Sequence, residues 1–155
     1  MADNDASSHN VITGNVIRTF GSECFNVKEN AHDNLFENNV CSDNTESAEF
    51  NGSNIELRGY NNAVRNNVIS GSAGWNVKIQ SDDEDYDNGG NSLENNHLSG
   101  SAAEHLRIEA DDPQGLFCGN VVTSSDVIDG ESPGDITARC PSGGSAPDPD
   151  GGRAR

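Results

Sequence analysis

Apolar residues recur along the chain in short, regular groups. A hexapeptide block is written five times, as NVITGN (10–15), NLFENN (34–39), NAVRNN (62–67), NSLENN (91–96) and GLFCGN (115–120). The third position of each block is apolar: Ile12, Phe36, Val64, Leu93 and Phe117. A second apolar residue follows two places after the block, at Ile17, Cys41, Ile69, Leu98 and Val122. Later in each repeat comes an apolar pair split by one polar residue: Phe25/Val27, Ile55/Leu57, Val77/Ile79, Leu106/Ile108 and Ile136/Ala138. Alternation with a period of two predicts strands rather than helices. The segments are too short for helical repeats, and Asn and Gly are poor helix formers.

The closing Asn of each block falls at 15, 39, 67, 96 and 120, so the repeats are 24, 28, 29 and 24 residues long. Short strands at such a period predict a stacked solenoid. The expected fold is all-β, a right-handed parallel β-helix of about five coils, with strands of successive coils about 4.8 Å apart. Asn repeated at a corner can hydrogen-bond to the Asn above it and also tolerates a left-handed turn. The hexapeptide is thus read as a corner-building device. Residues 9–140 form the expected solenoid, 1–8 a disordered or capping N-terminus, and 141–155 a flexible acidic Gly/Pro tail.

Composition suits such a thin-cored molecule: 32% of residues are apolar, 5% aromatic, and Asn is the commonest residue with 21 copies. The net charge of −17 disfavours a nucleic-acid partner and suits a medium whose ions screen self-repulsion. No apolar run has the length of a membrane span, so no membrane insertion is expected. Cys24, Cys41, Cys118 and Cys140 lack the CxxC spacing of zinc sites and favour disulfides in an extracellular or cell-surface setting. Pairing of Cys24 with Cys41 would tie the first two coils and pairing of Cys118 with Cys140 would lock the last one, although Cys41 also fits the core as a small free hydrophobe.

Loop lengths vary on one side. The ladder Asn precedes the next apolar pair by 10 residues in three coils and by 16 in two, Asn39 to Ile55 and Asn120 to Ile136. A further insertion, SDDEDYDNGG, spans 81–90. Such loops often carry binding functions.

Charge is segregated on the strand of the second pair. Its outward residues are Asn26, Glu56, Lys78, Arg107 and Thr137, followed by Lys28, Arg58, Gln80, Glu109 and Arg139. Five of the seven basic residues outside the tail lie here. One reading is a charge ladder, Glu56 beside Lys78 and Glu109 beside Arg139. The other is a groove for an acidic (uronate) polysaccharide, since Arg forks match carboxylates. Trp75, just before the strand of the third coil, could stack on a sugar or cover the core edge. In register, Asp82 lies over Asp111 and Asp83 over Asp112. Stacked carboxylates of this kind repel unless a cation such as Ca²⁺ bridges them or one protonates; the plain alternative is a solvated acidic turn. Together these residues have the logic of uronate β-elimination. The cation neutralises the carboxylate, a basic residue takes the adjacent proton, and a second basic residue or Tyr60 protonates the leaving oxygen. Lys28, Arg58, Lys78 and Arg107 are the catalytic candidates. Asn26, Glu56, Tyr60, Trp75, Gln80 and Arg139 are the substrate-binding ones. His9, His32, His97 and His105 show no metal spacing.

With its N-x4-N corners and the stretches ECFNVKE, IELRGYNNAVRNNVISG and PQGLFCGN, the chain resembles the pectate-lyase-like right-handed parallel β-helix repeat proteins over about residues 9–140. More loosely it is similar to the chondroitinase B and alginate lyase group, polysaccharide lyase family six. That likeness implies Glu23 as a Ca²⁺ ligand, Lys28 as base and Arg58 as acid. Three functional expectations follow. The chain is an extracellular module that binds or cleaves acidic polysaccharide, a non-catalytic structural or surface-assembly solenoid, or a fragment of a larger β-helix enzyme. End-to-end self-association through the first coil accompanies the second, because open solenoid ends need covering.

Overall fold

In a computed structural model, the described residues are 7–81, 87–110, 112–123, 128–130 and 134–141. The first turn runs through β1 (Val11–Thr13), β2 (Val16–Phe20) and β3 (Phe25–Val27). The second has β4 (Leu35–Glu37), β5 (Val40–Asn44) and β6 (Ser53–Leu57), and the third β7 (Ala63–Arg65), β8 (Val68–Ser70) and β9 (Trp75–Gln80). Then come β10 (Ser92–Glu94), β11 (His97–Ser99) and β12 (Leu106–Glu109), and last β13 (Phe117–Cys118), β14 (Val121–Val122) and β15 (Ile128–Gly130). The one helix among the described residues is a single 3₁₀ turn, Ala48–Phe50, in the second turn's insertion.

Strands three apart in sequence pair in parallel, giving three five-stranded sheets: β1-β4-β7-β10-β13, β2-β5-β8-β11-β14 and β3-β6-β9-β12-β15. The fold is therefore a parallel β-solenoid. Five strands per sheet are separated by four steps, which makes about four turns. The expected count of five matches the strands and slightly exceeds the turns. Four steps at about 4.8 Å give a stack roughly 19 Å tall.

The apolar columns read from the sequence are the core. Phe36, Cys41, Ile55, Val64, Ile69, Val77, Leu98 and Leu106 are fully buried, and Phe25 stacks on Phe36 at 4.6 Å. The first turn is more open: Ile12, Ile17 and Phe25 are only half-buried.

The hexapeptide builds two corners, and two residues share the work at each. The left-handed residue comes first: His9, Asp33, Asn61 and Gly90 at one corner, and Gly14, Asn38, Asn66, Asn95 and Gly119 at the other, all with φ between 54° and 72°. Asn and Gly tolerate this conformation where most side chains clash. The next residue is the ladder Asn. The backbone N–H and Nδ2 of Asn67 both donate to Asn96 Oδ1, at 2.9 and 3.0 Å, and the same pattern runs from Asn15 through Asn39 to Asn67 and from Asn96 to Asn120. A second ladder joins Asn10, Asn34, Asn62 and Asn91 at the block's first position. A third, Asn54 to Asn76 to His105, lines the corner before the third sheet.

One register expectation fails. The fifth strand of the third sheet is β15, with Ile128 opposite Leu106, Asp129 opposite Arg107 and Gly130 opposite Ile108. Ile136 instead folds over the end of the core, 2% exposed, and its carbonyl accepts from the Asn120 backbone N–H (3.1 Å) and Nδ2 (3.0 Å). It caps the ladder, while Thr137, Ala138 and Arg139 are exposed. Ile-x-Ala and Ile-x-Gly are equally good alternations, and only strand pairing separates them. Both expected disulfides are present, Cys24–Cys41 and Cys118–Cys140, with Cα–Cα distances of 6.2 and 5.0 Å, so Cys41 is not a free thiol.

Candidate functional site

The third sheet carries the charged rows in the expected register for four strands: Asn26, Glu56, Lys78 and Arg107 are successive partners, as are Gln80 and Glu109. Arg58 N–H bonds Val27 O (2.9 Å), which sets Arg58 beside Lys28. Arg139 lies outside this sheet, and the Arg107 neighbour is Asp129 by backbone register.

Glu56 is the hub of the face. Its Oε2 accepts from Asn26 Nδ2 (2.9 Å) and Arg58 Nη2 (2.8 Å). Its Oε1 accepts from Gln80 Nε2 (2.8 Å) and sits 3.6 Å from Lys78 Nζ. Though it points away from the apolar core, Glu56 is 1% exposed and Lys78 0%. The centre of the outward face is therefore itself covered, and Glu56 and Lys78 meet out of water while Lys28 and Glu109 at its edges stay exposed. Lys78 Nζ has no hydrogen bond among the described residues, and burial lowers its pKa despite the opposing pull of Glu56 and Glu109, with Arg58 and Arg107 adding to the lowering. Arg107 pairs with Glu109, whose pKa is lowered first by that hydrogen bond. Arg58 also reaches Glu29 at 3.6 Å. Lys28 alone of the four catalytic candidates is exposed.

Trp75 is buried, with the Arg107 guanidinium 4.8 Å and Lys78 Nζ 5.7 Å from its ring centre. Its Nε1 has no hydrogen-bond partner among the described residues. The indole thus forms part of the cover over the charged layer. Glu23 accepts from Ser22 Oγ (2.6 Å) and Asn26 Nδ2 (3.0 Å). Burial pushes its pKa up, but these bonds, a backbone N–H and Lys28 outweigh it, and the net direction is down. Asn26 thereby links Glu23 to Glu56.

Tyr60 belongs to a different place. The chain turns at Gly59, where a Cβ would run into the Ala31 carbonyl, and Tyr60 stacks on His32 at 4.7 Å. Of the proposed acidic-turn ligands, Asp82, Asp83 and Asp111 lie outside the described residues. Asp112 exchanges hydrogen bonds with Asn88: Asn88 N–H donates to Asp112 Oδ2 (3.3 Å) and Asp112 N–H to Asn88 Oδ1 (3.2 Å). A shallow groove of about 610 Å³ runs elsewhere, along the stacked corners at 43–45, 71–73 and 100–102.

The arrangement brings Asn26, Glu56, Arg58, Lys78, Gln80, Trp75 and Arg107 together, with Glu23 and Lys28 at its edge. The His32, His9 and Asp33 grouping was missed. His9 and Asp33 each precede a first-ladder Asn, so the repeat itself held that signal. In comparisons with known proteins, no family model, curated protein or solved structure matches the chain.

Proposed function

We propose that the chain is an extracellular, non-catalytic β-solenoid of the structural or surface-assembly kind. The observation that carries this reading is Glu56, which draws Asn26, Arg58, Lys78 and Gln80 onto one buried carboxylate. Cations neutralised in this way stiffen the sheet and offer little free charge to a ligand. The two disulfides support an oxidising environment.

A second reading, binding of an acidic polysaccharide along the stripe, is favoured by exposed Lys28 beside Arg58. Carboxylates of a uronate chain are the ligands such donors would accept. Cleavage by β-elimination would need Lys28 as base, because Lys78 is fully buried.

The deciding experiment incubates the protein with alginate, pectate and chondroitin sulfate, with Ca²⁺ and with chelator. Ultraviolet absorbance is followed for unsaturated uronate, and retention on each immobilised glycan is measured in parallel. The structural reading expects a flat trace and no retention. Retention without absorbance change would transfer the assignment to binding. A Ca²⁺-dependent rise that vanishes in Lys28→Ala would overturn the non-catalytic reading.

A further inference from the structure

At the corner before the first sheet, two imidazoles and a carboxylate from adjacent turns converge. His9 Nε2 is 3.8 Å from Asp33 Oδ2, His32 Nδ1 is 2.7 Å from the same oxygen, and the three ligand atoms all lie within 4.8 Å of one another. The backbone explains the meeting. His9 and Asp33 occupy the left-handed position directly before Asn10 and Asn34, with φ of 57° and 54°. Their equivalents in the next two turns are Asn61 and Gly90, so among these four positions the imidazole and carboxylate ligands fall in the first two turns.

His32 is held in place from both sides. Its ring stacks on Tyr60 with an interplanar angle of 13° and meets His9 edge-on at 82°, with centroids 5.7 Å apart. Parallel bridges join Ser8 to His32 and His32 to Tyr60, fixing the three backbones in register. His9 N–H also donates to His32 O at 3.3 Å.

We propose that His9, His32 and Asp33 form a binding site for a divalent transition metal of the zinc class, clipping the first turn of the solenoid to the second. Imidazole nitrogens select such ions over Ca²⁺ and Mg²⁺, which prefer all-oxygen shells. Three protein ligands with a water in the fourth place is an established zinc arrangement. With metal–ligand bonds of about 2.1 Å, tetrahedral ligands stand roughly 3.4 Å apart. The His9–Asp33 separation approaches this. The shorter His32–Asp33 contact widens as the ion replaces the hydrogen bond, His32 then carrying its proton on Nε2. Half-exposure of the corner leaves an entry path for the ion, with side-chain exposures of 55% for His9, 25% for His32 and 34% for Asp33.

The test uses the full chain stripped with chelator and titrated calorimetrically with Zn²⁺. Excess Ca²⁺ occupies the carboxylates of this acidic protein. One Zn²⁺ per chain is expected, with affinity at least tenfold weaker in each of His9→Gln, His32→Ala and Asp33→Asn and unchanged in the control His97→Gln. Zn²⁺ should also raise the thermal midpoint of the wild type and not of His9→Gln. That side chain is the most exposed of the three, so the variant's fold is preserved. Failure to bind one equivalent, or wild-type affinity in any of the three variants, overturns the three-ligand site.

Discussion

Replacing Glu56 by Gln keeps the shape of the hub and removes its charge. In the native protein four groups converge on its two oxygens. An amide offers only one acceptor oxygen, and its NH₂ faces either the Asn26 and Arg58 donors or the Gln80 donor. Lys78, fully buried, loses its nearest counter-charge. Removing one partner of a buried pair typically costs about 3–5 kcal/mol. For a domain of this size that corresponds to a fall of roughly 10 °C in the unfolding midpoint. Lys78→Met should behave differently, because it deletes a cation whose burial is unfavourable and leaves Glu56 three donors. A cost below about 1.5 kcal/mol is expected. The double variant Glu56→Gln/Lys78→Met should then cost at least about 1 kcal/mol less than the sum of the singles. Denaturant unfolding followed by circular dichroism, with both disulfides kept oxidised, measures all three. If Glu56→Gln stays within about 1 kcal/mol of wild type, the carboxylate is not what holds the charged layer together and the argument fails.

Asn67→Ala in the middle of its ladder takes the acceptor from the buried Asn39 backbone N–H and a donor from the Phe36 carbonyl, while Asn39 Nδ2 keeps Ile12 O and Glu37 O, a loss of about 2–3 kcal/mol by chemical denaturation. Asn15→Ala at the exposed end should cost less than about 1 kcal/mol. Burial lowers the His105 pKa below its usual 6.5, and Asn76 Nδ2 lies 2.8 Å from its Nδ1. The unfolded chain therefore takes up this proton first, and the stability contribution, complete above about pH 6.5, is lost as pH falls. His105→Asn should flatten that part of a stability-against-pH curve, and an unchanged slope would refute the assignment. Removing Cys118–Cys140, which closes 22 residues, should cost about 3 kcal/mol, with faster amide exchange at Asn120 as the Ile136 cap loosens.

What could be read from the chain was whatever the repeat states in residue types. Ile12, Phe36, Val64, Leu93 and Phe117 share a column because one apolar side chain is needed there in every turn. The ladder Asn was legible for the same reason. The third ladder was not, since Asn54, Asn76 and His105 differ in type and share only hydrogen-bonding geometry. The last strand was misplaced because alternation alone cannot choose between Ile128 and Ile136, whereas a capping role for Ile136 depends on three-dimensional closure. In the charged rows, residue order gave the neighbours of Glu56 correctly. It could not show that an outward-facing side chain would be buried, which depends on what Trp75, Arg58 and Arg107 do in space.

The division of each corner into a left-handed residue and an amide-bearing one makes the turn a transferable unit. Asn62 and Asn91 are 29 residues apart and bond to one another as identical pieces. A copy of residues 62–90 spliced in before Asn91 would meet the same donor below and the same acceptor above. The protein would then lengthen by one strand spacing, about 4.8 Å, with both disulfides, the His9 corner and the Ile136 lid untouched. Its length is in that sense an adjustable quantity, set by how many copies of one sentence the gene contains.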